Sequence, residues 1–372
     1  MPTMKSAPDY MDRCRRLQEY MEVAEVDYIL VGPSSDLLYL IGLNRPQSER
    51  LTLFLLPRRG PGRLVLPGFE RALADPLASF FELASWEEDE DPTALFVSLL
   101  PDRGRNLRLA VGGKLFVHFL FKLQKAAPQA VFIPGNPIID PMRMRKEKFE
   151  LENLSRAGKA ADMVFEALLE SPLVGKTEVQ MKAQIMELLP QMGHDAAGGA
   201  IVAVGPNAAS PHHHVSARVI GNGDPIIIDF GGMVNGYWSD MTRTIHIGEP
   251  SEKFLHAYNT VKEANDKAFE AVKPGVTAEY IDRVARDHIR KAGYGEYFLH
   301  RTGHGIGLDI HELPFIVKGE DTSLAPGMVF SIEPGIYIKG EFGIRIEDIV
   351  AVTDTGGRRL NNTTRELQVI AA

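Results

Sequence analysis

Apolar positions along the first 140 residues switch between two periods. Residues 10–26 repeat them at helical spacing, whereas 28–31, 51–56 and 64–66 are short β-favouring runs bounded by turn residues, which predicts one helix and three strands. The acidic run 87–91 reads as a solvated loop. Beyond it the pattern predicts a helix, a strand over 107–111, a helix over 116–126 and a strand over 130–133. This is a small α/β domain with no phosphate-binding glycine loop and no cluster of ligand-type side chains, so its expected role is packing or oligomerisation. From Arg143 the spacing of Leu151, Leu154, Ala161, Phe165 and Leu168 marks a long helix whose pattern ends at Pro172. The boundary is set near Pro141, giving domains 1–141 and 142–372.

The second domain repeats itself at about 100 residues. Glu147-Lys148-Phe149 recurs as Glu252-Lys253-Phe254, and Phe165-Glu166-Ala167-Leu168 as Phe269-Glu270-Ala271-Val272. Each helix leads to a Gly-x-Thr turn ending at Thr177 or Thr277, where threonine suits an N-cap. A second helix then runs to Gly193 or Gly293. Each half also carries two acidic residues on expected strands, Asp229 and Asp240 in the first, Glu333 and Glu347 in the second, at offsets of 104 and 107 residues. Two such halves facing each other bring four carboxylates to one interface.

The runs 225–231 and 237–247 flank Asn235-Gly236, a strong signal for a two-residue hairpin turn. With those residues as the loop, positions whose numbers add to 471 pair. Asp240 then faces Gly231, and Asp229 lies diagonally on the same face, roughly 7–8 Å away between α-carbons. A shared cation suits such a pair better than Arg243 as partner. In the second half Glu333 alternates with Ile332, and Arg345 and Glu347 with Ile346, again one face of each strand. Between the pairs lies His300-Arg301-Thr302-Gly303-His304-Gly305-Ile306-Gly307, followed by His311-Glu312. Glycines on both sides of His304 permit close backbone approach. Their spacing is wrong for a dinucleotide loop, and His311-Glu312 is no zincin motif because position 315 is Phe. His212, His213 and His214 form a triplet. In a strand only His212 and His214 share a side, and the pattern does not choose among the three.

Charge narrows the partners. Lys and Arg total 41 against 49 acidic residues, a net −8 that offers no basic field for nucleic acid. No stretch approaches the roughly 20 apolar residues of a membrane span. The start of the chain, with Lys5, Asp9, Asp12, Arg13, Arg15 and Arg16, is too polar for a signal peptide, and the single cysteine, Cys14, allows no internal disulfide, so the expected location is cytoplasmic. Four carboxylates and one imidazole form a hard ligand set suited to Mn²⁺, Fe²⁺ or Co²⁺, with Zn²⁺ also accommodated. Their charge balances two divalent ions. Two such ions about 3.5–4 Å apart can hold a bridging hydroxide, polarise a carbonyl and hydrolyse an amide.

The order Asp229, Asp240, His304, Glu333, Glu347, within IIIDFGG, YWSDMTRT, HRTGHGIGLDIHELP, GMVFSIEPGIY and GIRIED, resembles the pita-bread metallopeptidases: Xaa-Pro dipeptidase (prolidase), Xaa-Pro aminopeptidase and methionine aminopeptidase. The resemblance covers about residues 143–370, and the first domain resembles that of the proline-directed members and of creatinase. It implies an α/β N-terminal domain and an α+β pita-bread C-terminal domain with an internal pseudo-two-fold repeat. The implied activity is hydrolysis of the Xaa-Pro bond in dipeptides or at peptide N-termini through a metal-bridging hydroxide. The resemblance further implies two divalent ions, Mn²⁺ foremost, with Asp229 and Asp240 on one, His304 on the other, and Asp240 and Glu347 bridging. Glu333 becomes ligand and proton shuttle, His212 a substrate contact near the scissile bond, and His311 the stabiliser of the oxyanion. Arg345 orients Glu347 or binds substrate. A homodimer acting on small peptides with proline second is expected. One position departs: some prolidases carry a carboxylate-binding arginine where this chain has Phe315, leaving Lys318 or Arg345 as substitutes and aminopeptidase activity as a competitor. A metal-free creatinase-like C–N hydrolase and a non-catalytic binding protein are the alternatives, and the intact ligand set counts against both.

Overall fold

The computed structural model describes residues 9–372; Lys5, part of the leader reading, lies outside the described residues. The chain divides into two compact units, 1–143 and 144–372. Among the described residues no helix is long and apolar enough to cross a membrane.

The first unit holds one mixed sheet. Its strands are β1 (Tyr28–Val31), β2 (Leu53–Pro57), β3 (Arg63–Pro67), β4 (Glu82–Trp86), β5 (Arg108–Val111) and β6 (Val131–Pro134), in the order β4-β3-β2-β1-β5-β6. Leu30, Leu53, Leu55, Val65, Phe96, Leu109 and Leu123 fill its core. The first helix, Tyr10–Val23, stops short of residue 26 because Glu25 turns the chain with φ 54°. Several elements escape the apolar pattern, helix Asn136–Met144 among them. Helix Ser35–Ile41 is set by its ends, Ser34 accepting from the Leu37 amide and Gly42 closing it at φ 75°. Strand β4 lies at the sheet edge with side chains mostly half-exposed, which weakens its alternation. The acidic run is an exposed loop whose Asp91 caps helix Pro92–Ser98, and Pro141 sits inside helix Asn136–Met144.

In the second unit helices Lys148–Leu169 and Glu178–Gln191 pack on a sheet of β7 (Ala196–Val204), β8 (Pro225–Val234), β9 (Tyr237–Trp238) and β10 (Met241–Ile247) through Phe165, Met181, Ile185, Ile226, Ile228 and Ile245. Helices Glu252–Glu270 and Ala278–Lys291 repeat this against β11 (Gly303–Gly305), β12 (Glu312–Ile316), β13 (Val329–Ile332), β14 (Gly335–Ile338), β15 (Phe342–Arg345) and β16 (Asp348–Val352), burying Val261, Ile281, Ile289, Phe330, Ile346 and Val350. Thr177 and Thr277 cap the second helix of each half, accepting from Gln180 and Tyr280.

The hairpin register is the one the turn dictates. Asn235 and Gly236 both take positive φ, 51° and 82°, as a two-residue turn of matching twist requires. Val234 pairs with Tyr237 and Asp229 with Thr242. The second strand is not continuous, however. At Ser239 and Asp240 the strand breaks: the Ser239 amide still donates to the Gly232 carbonyl at 2.8 Å, but the Gly232 amide donates to the Ser239 hydroxyl at 3.1 Å rather than to its carbonyl, and that hydroxyl meets His194 Nε2 at 3.0 Å. A Cβ on Gly231 would strike the Ser239 carbonyl. The other ladder opens likewise: Ile332 pairs with Asp348 and Gly335 with Arg345 in one register, so Glu333 and Glu347 face each other in the gap rather than on strands. The histidine triplet also lies in a loop, after a short 3₁₀ turn Gly205–Ala209, and not in a strand.

Candidate active site

The two open ladders place their acidic residues in one cleft of about 710 Å³, lined by His212, Asp229, Asp240, His304, His311, Glu333, Arg345 and Glu347 among others. Asp240, His304 and Glu347, all buried, offer one ligand atom each within 4.8 Å of one another. His304 Nδ1 sits 3.1 Å from the Gly305 carbonyl and must donate to it, which leaves Nε2 bare. That lone pair lies 3.4 Å from Glu333 Oε1 and 3.6 Å from Asp240 Oδ2. Burial, with His311 alongside, pushes the His304 imidazolium down to about 3, so the ring is neutral.

Glu347 is held from the first half. Its amide donates to the Thr242 carbonyl, and the Thr242 hydroxyl donates to Oε2 at 2.7 Å. Its other oxygen, Oε1, is buried and, among the described residues, has no hydrogen-bond partner. An orphaned carboxylate oxygen is costly in a protein interior. Burial and the neighbouring carboxylates hold the acids of Asp240 and Glu347 well above the usual range, and burial pushes Glu333 up to about 7. A neutral imidazole, an orphaned oxygen and mutually repelling carboxylates form a donor set that fits divalent cations.

Asp229, half-buried on β8, stands apart from the three. Arg345 Nη2 donates to its Oδ2, while Arg345 Nη1 donates to the Tyr337 hydroxyl at 2.9 Å and Nε to Thr242 at 3.2 Å. The carboxylate that Arg345 contacts directly is therefore Asp229, while it reaches Glu347 only through the Thr242 hydroxyl. Tyr337 in turn meets His300 Nε2 at 2.8 Å, and His300 lines the cleft. Glu333 accepts from the Ser331 hydroxyl at 3.3 Å, and that hydroxyl accepts from the His304 amide. The rings of His304 and His311 meet edge to face at 4.2 Å. Next to His311, Glu312 pairs with buried Lys146.

Of the triplet, His212 lines the cleft and His213 turns away to Glu178 at 2.8 Å. Fully buried Glu178 also accepts from the Val204 and Ser216 amides and from Asn207 and Ser216 side chains, and so anchors the loop bearing His212. Lys318 is exposed and outside the cleft lining, and Phe315 carries the Arg301 guanidinium on its ring. Thr242, Tyr337, Glu178 and Arg301 have no assigned role in the sequence reading. Thr242 was within reach of it, because it shares a strand face with Asp240.

Residues 152–354 match metallopeptidase family M24, and residues 13–145 match the creatinase/prolidase N-terminal domain. The chain belongs to metallopeptidase family M24. It is 41% identical over 346 residues to a probable dipeptidase PepE of Mycobacterium tuberculosis, covering 92% of both chains. It is 34% identical to an Xaa-Pro dipeptidase of Pyrococcus furiosus, over 96% of this chain and 99% of the relative. A crystal structure of prolidase from Thermococcus sibiricus superposes with TM-score 0.92 at 38% identity, over 98% of this chain and 100% of the other. This M24 metallopeptidase thus has the pita-bread fold following, in sequence, a creatinase-type N-terminal domain, as the residue order implies.

Proposed function

We propose that this M24 metallopeptidase hydrolyses the Xaa-Pro bond of dipeptides, with the N-termini of longer Xaa-Pro peptides as second substrates. The observation that carries this reading is the convergence of all five ligand-type residues, Asp229, Asp240, His304, Glu333 and Glu347, on one cleft with none replaced. The names of the relatives, dipeptidase and Xaa-Pro dipeptidase, support the substrate class. Two divalent ions, Mn²⁺ foremost, would be held by His304 through Nε2, by Asp240 and Glu347 as shared ligands, by Glu333, and by Asp229 through the oxygen that Arg345 leaves free. When bound, they supply Lewis acidity that polarises the scissile carbonyl and acidifies water.

The protein's own groups carry the protons and the geometry. Glu333 takes a proton from the attacking water and delivers it to the proline nitrogen, which carries no hydrogen of its own in the peptide. His311 donates to the oxygen on which charge develops. His212, kept in place by the Glu178 anchor, contacts substrate beside the scissile bond. Arg345 is a positioning residue for Asp229. The same reading places the enzyme in the cytoplasm with Cys14 free and buried, and assigns the N-terminal domain to packing or homodimer formation.

Turnover of Xaa-Pro dipeptides and Xaa-Pro-Yaa tripeptides by metal-stripped protein, with and without Mn²⁺, Co²⁺ or Zn²⁺, tests the proposal. Metal-dependent cleavage before proline, faster for dipeptides, is expected. Cleavage of neither by metal-loaded protein overturns it.

A further inference from the structure

Arg301 follows His300 in the glycine-rich segment and lines the cleft. Its guanidinium lies over the Phe315 ring, Cζ 4.2 Å from the centroid. The residue is half-buried, and among the described residues its side chain has no hydrogen-bond or ion-pair partner. The other arginine of the cleft is committed: Arg345 is spent on Asp229, Tyr337 and Thr242. A stacked guanidinium loses little further freedom when it binds a planar anion, and it presents two parallel donors in a fixed plane. Burial pulls the guanidinium's pKa down, and among the described residues the carboxylate that acts on it is Glu333, which forms no ion pair with it, so a ligand carboxylate would supply the close partner it lacks. Arg301 is also near the chemistry, since its charge acts on His304, His311 and Glu333.

Building on the dipeptidase reading, we propose that Arg301, held flat by Phe315, recognises the free α-carboxylate of a dipeptide and makes this residue the determinant of peptide length. In a dipeptide the carboxylate is borne by the same residue whose nitrogen is released, one residue from the scissile bond, within a span of about 3.8 Å between α-carbons. In a longer peptide a neutral amide occupies that place and leaves the guanidinium unpaired. Lys182 lines the same cleft from helix Glu178–Gln191 and is the natural control.

The experiment compares an Xaa-Pro dipeptide with its C-terminal amide, using metal-loaded wild type, Arg301→Gln, Arg301→Lys and Lys182→Gln, with circular dichroism to verify folding. Wild type should favour the acid by roughly tenfold to hundredfold in kcat/KM. Arg301→Gln should bring the acid-to-amide ratio towards one, chiefly by raising KM for the acid, and Arg301→Lys should restore part of it. Lys182→Gln should leave the ratio as in wild type. Inhibition by proline against prolinamide supplies a second reading, which Arg301→Gln should level. A ratio that survives Arg301→Gln, or that Lys182→Gln alone removes, overturns the assignment while leaving the dipeptidase reading intact. Wild type that cleaves neither compound with metal bound overturns both.

Discussion

In the first half of the catalytic unit one acidic residue, Asp229, stays inside a strand and the other, Asp240, sits where the ladder opens; in the second half both Glu333 and Glu347 occupy the opening. Asp229 has a protein cation, Arg345, that comes from the second half. Glu347 has a hydroxyl, Thr242, that comes from the first. Each half therefore supplies what orients the other's carboxylate, and neither builds the site alone. The two halves share their helices, caps and hairpins, while the side chains that make them unequal include those that cross between them.

The largest expected effect falls on the member with an orphaned oxygen. Glu347→Gln removes a charge from the centre of the three-residue cluster, and metal content per chain by atomic emission should fall with turnover down more than about a thousandfold. Full activity with metal retained would mean that the second half's carboxylate is dispensable. Next comes the crossing cation. Arg345→Met leaves Asp229 without its partner and should lower unfolding stability by about 3 kcal/mol, read as a shifted urea midpoint at unchanged slope. An unmoved midpoint would show that Asp229 needs no partner from the other half.

The smallest effect is a pH dependence at the hinge of the first half's opening, where the second half has no histidine at the matching position. His194 follows Gly193, where the second half has Tyr294 after Gly293, and burial pushes its imidazolium below the ordinary value. The native ring takes up a proton only at lower pH than the unfolded chain, which binds one near pH 6.5. This contribution is present above that pH and lost as pH falls below it. His194→Gln should make the fall in stability shallower by up to about 1.4 kcal/mol per pH unit. Identical slopes for wild type and variant would remove the asymmetry.

Much of this was legible in the residues. The Asn235-Gly236 turn dictates a register that holds from Val234 back to Pro225, and the repeat of helices with threonine caps follows from local chemistry. What escaped has a common physical cause: it depends on contacts distant in sequence. The Ser239 hydroxyl is held by His194, 45 residues away, and Arg345 is committed to Asp229, 116 away. Glu178 at the first turn of its helix looks like an ordinary helix-start acid, and only the folded loop reveals five hydrogen bonds converging on it. Helix Ser35–Ile41 was hidden for the opposite reason, being short and set by its caps rather than by an apolar stripe.

The shared ligand cluster also sets an order of events during synthesis. Asp240 emerges more than 100 residues before Glu347, and the two meet only through the pairing of Thr242 with Glu347. A chain still being made, or one whose second half has not closed, offers a cation no complete three-residue seat. On the proposed ligand assignment metal capture is thus a late event that follows folding rather than seeding it as in small zinc-nucleated domains.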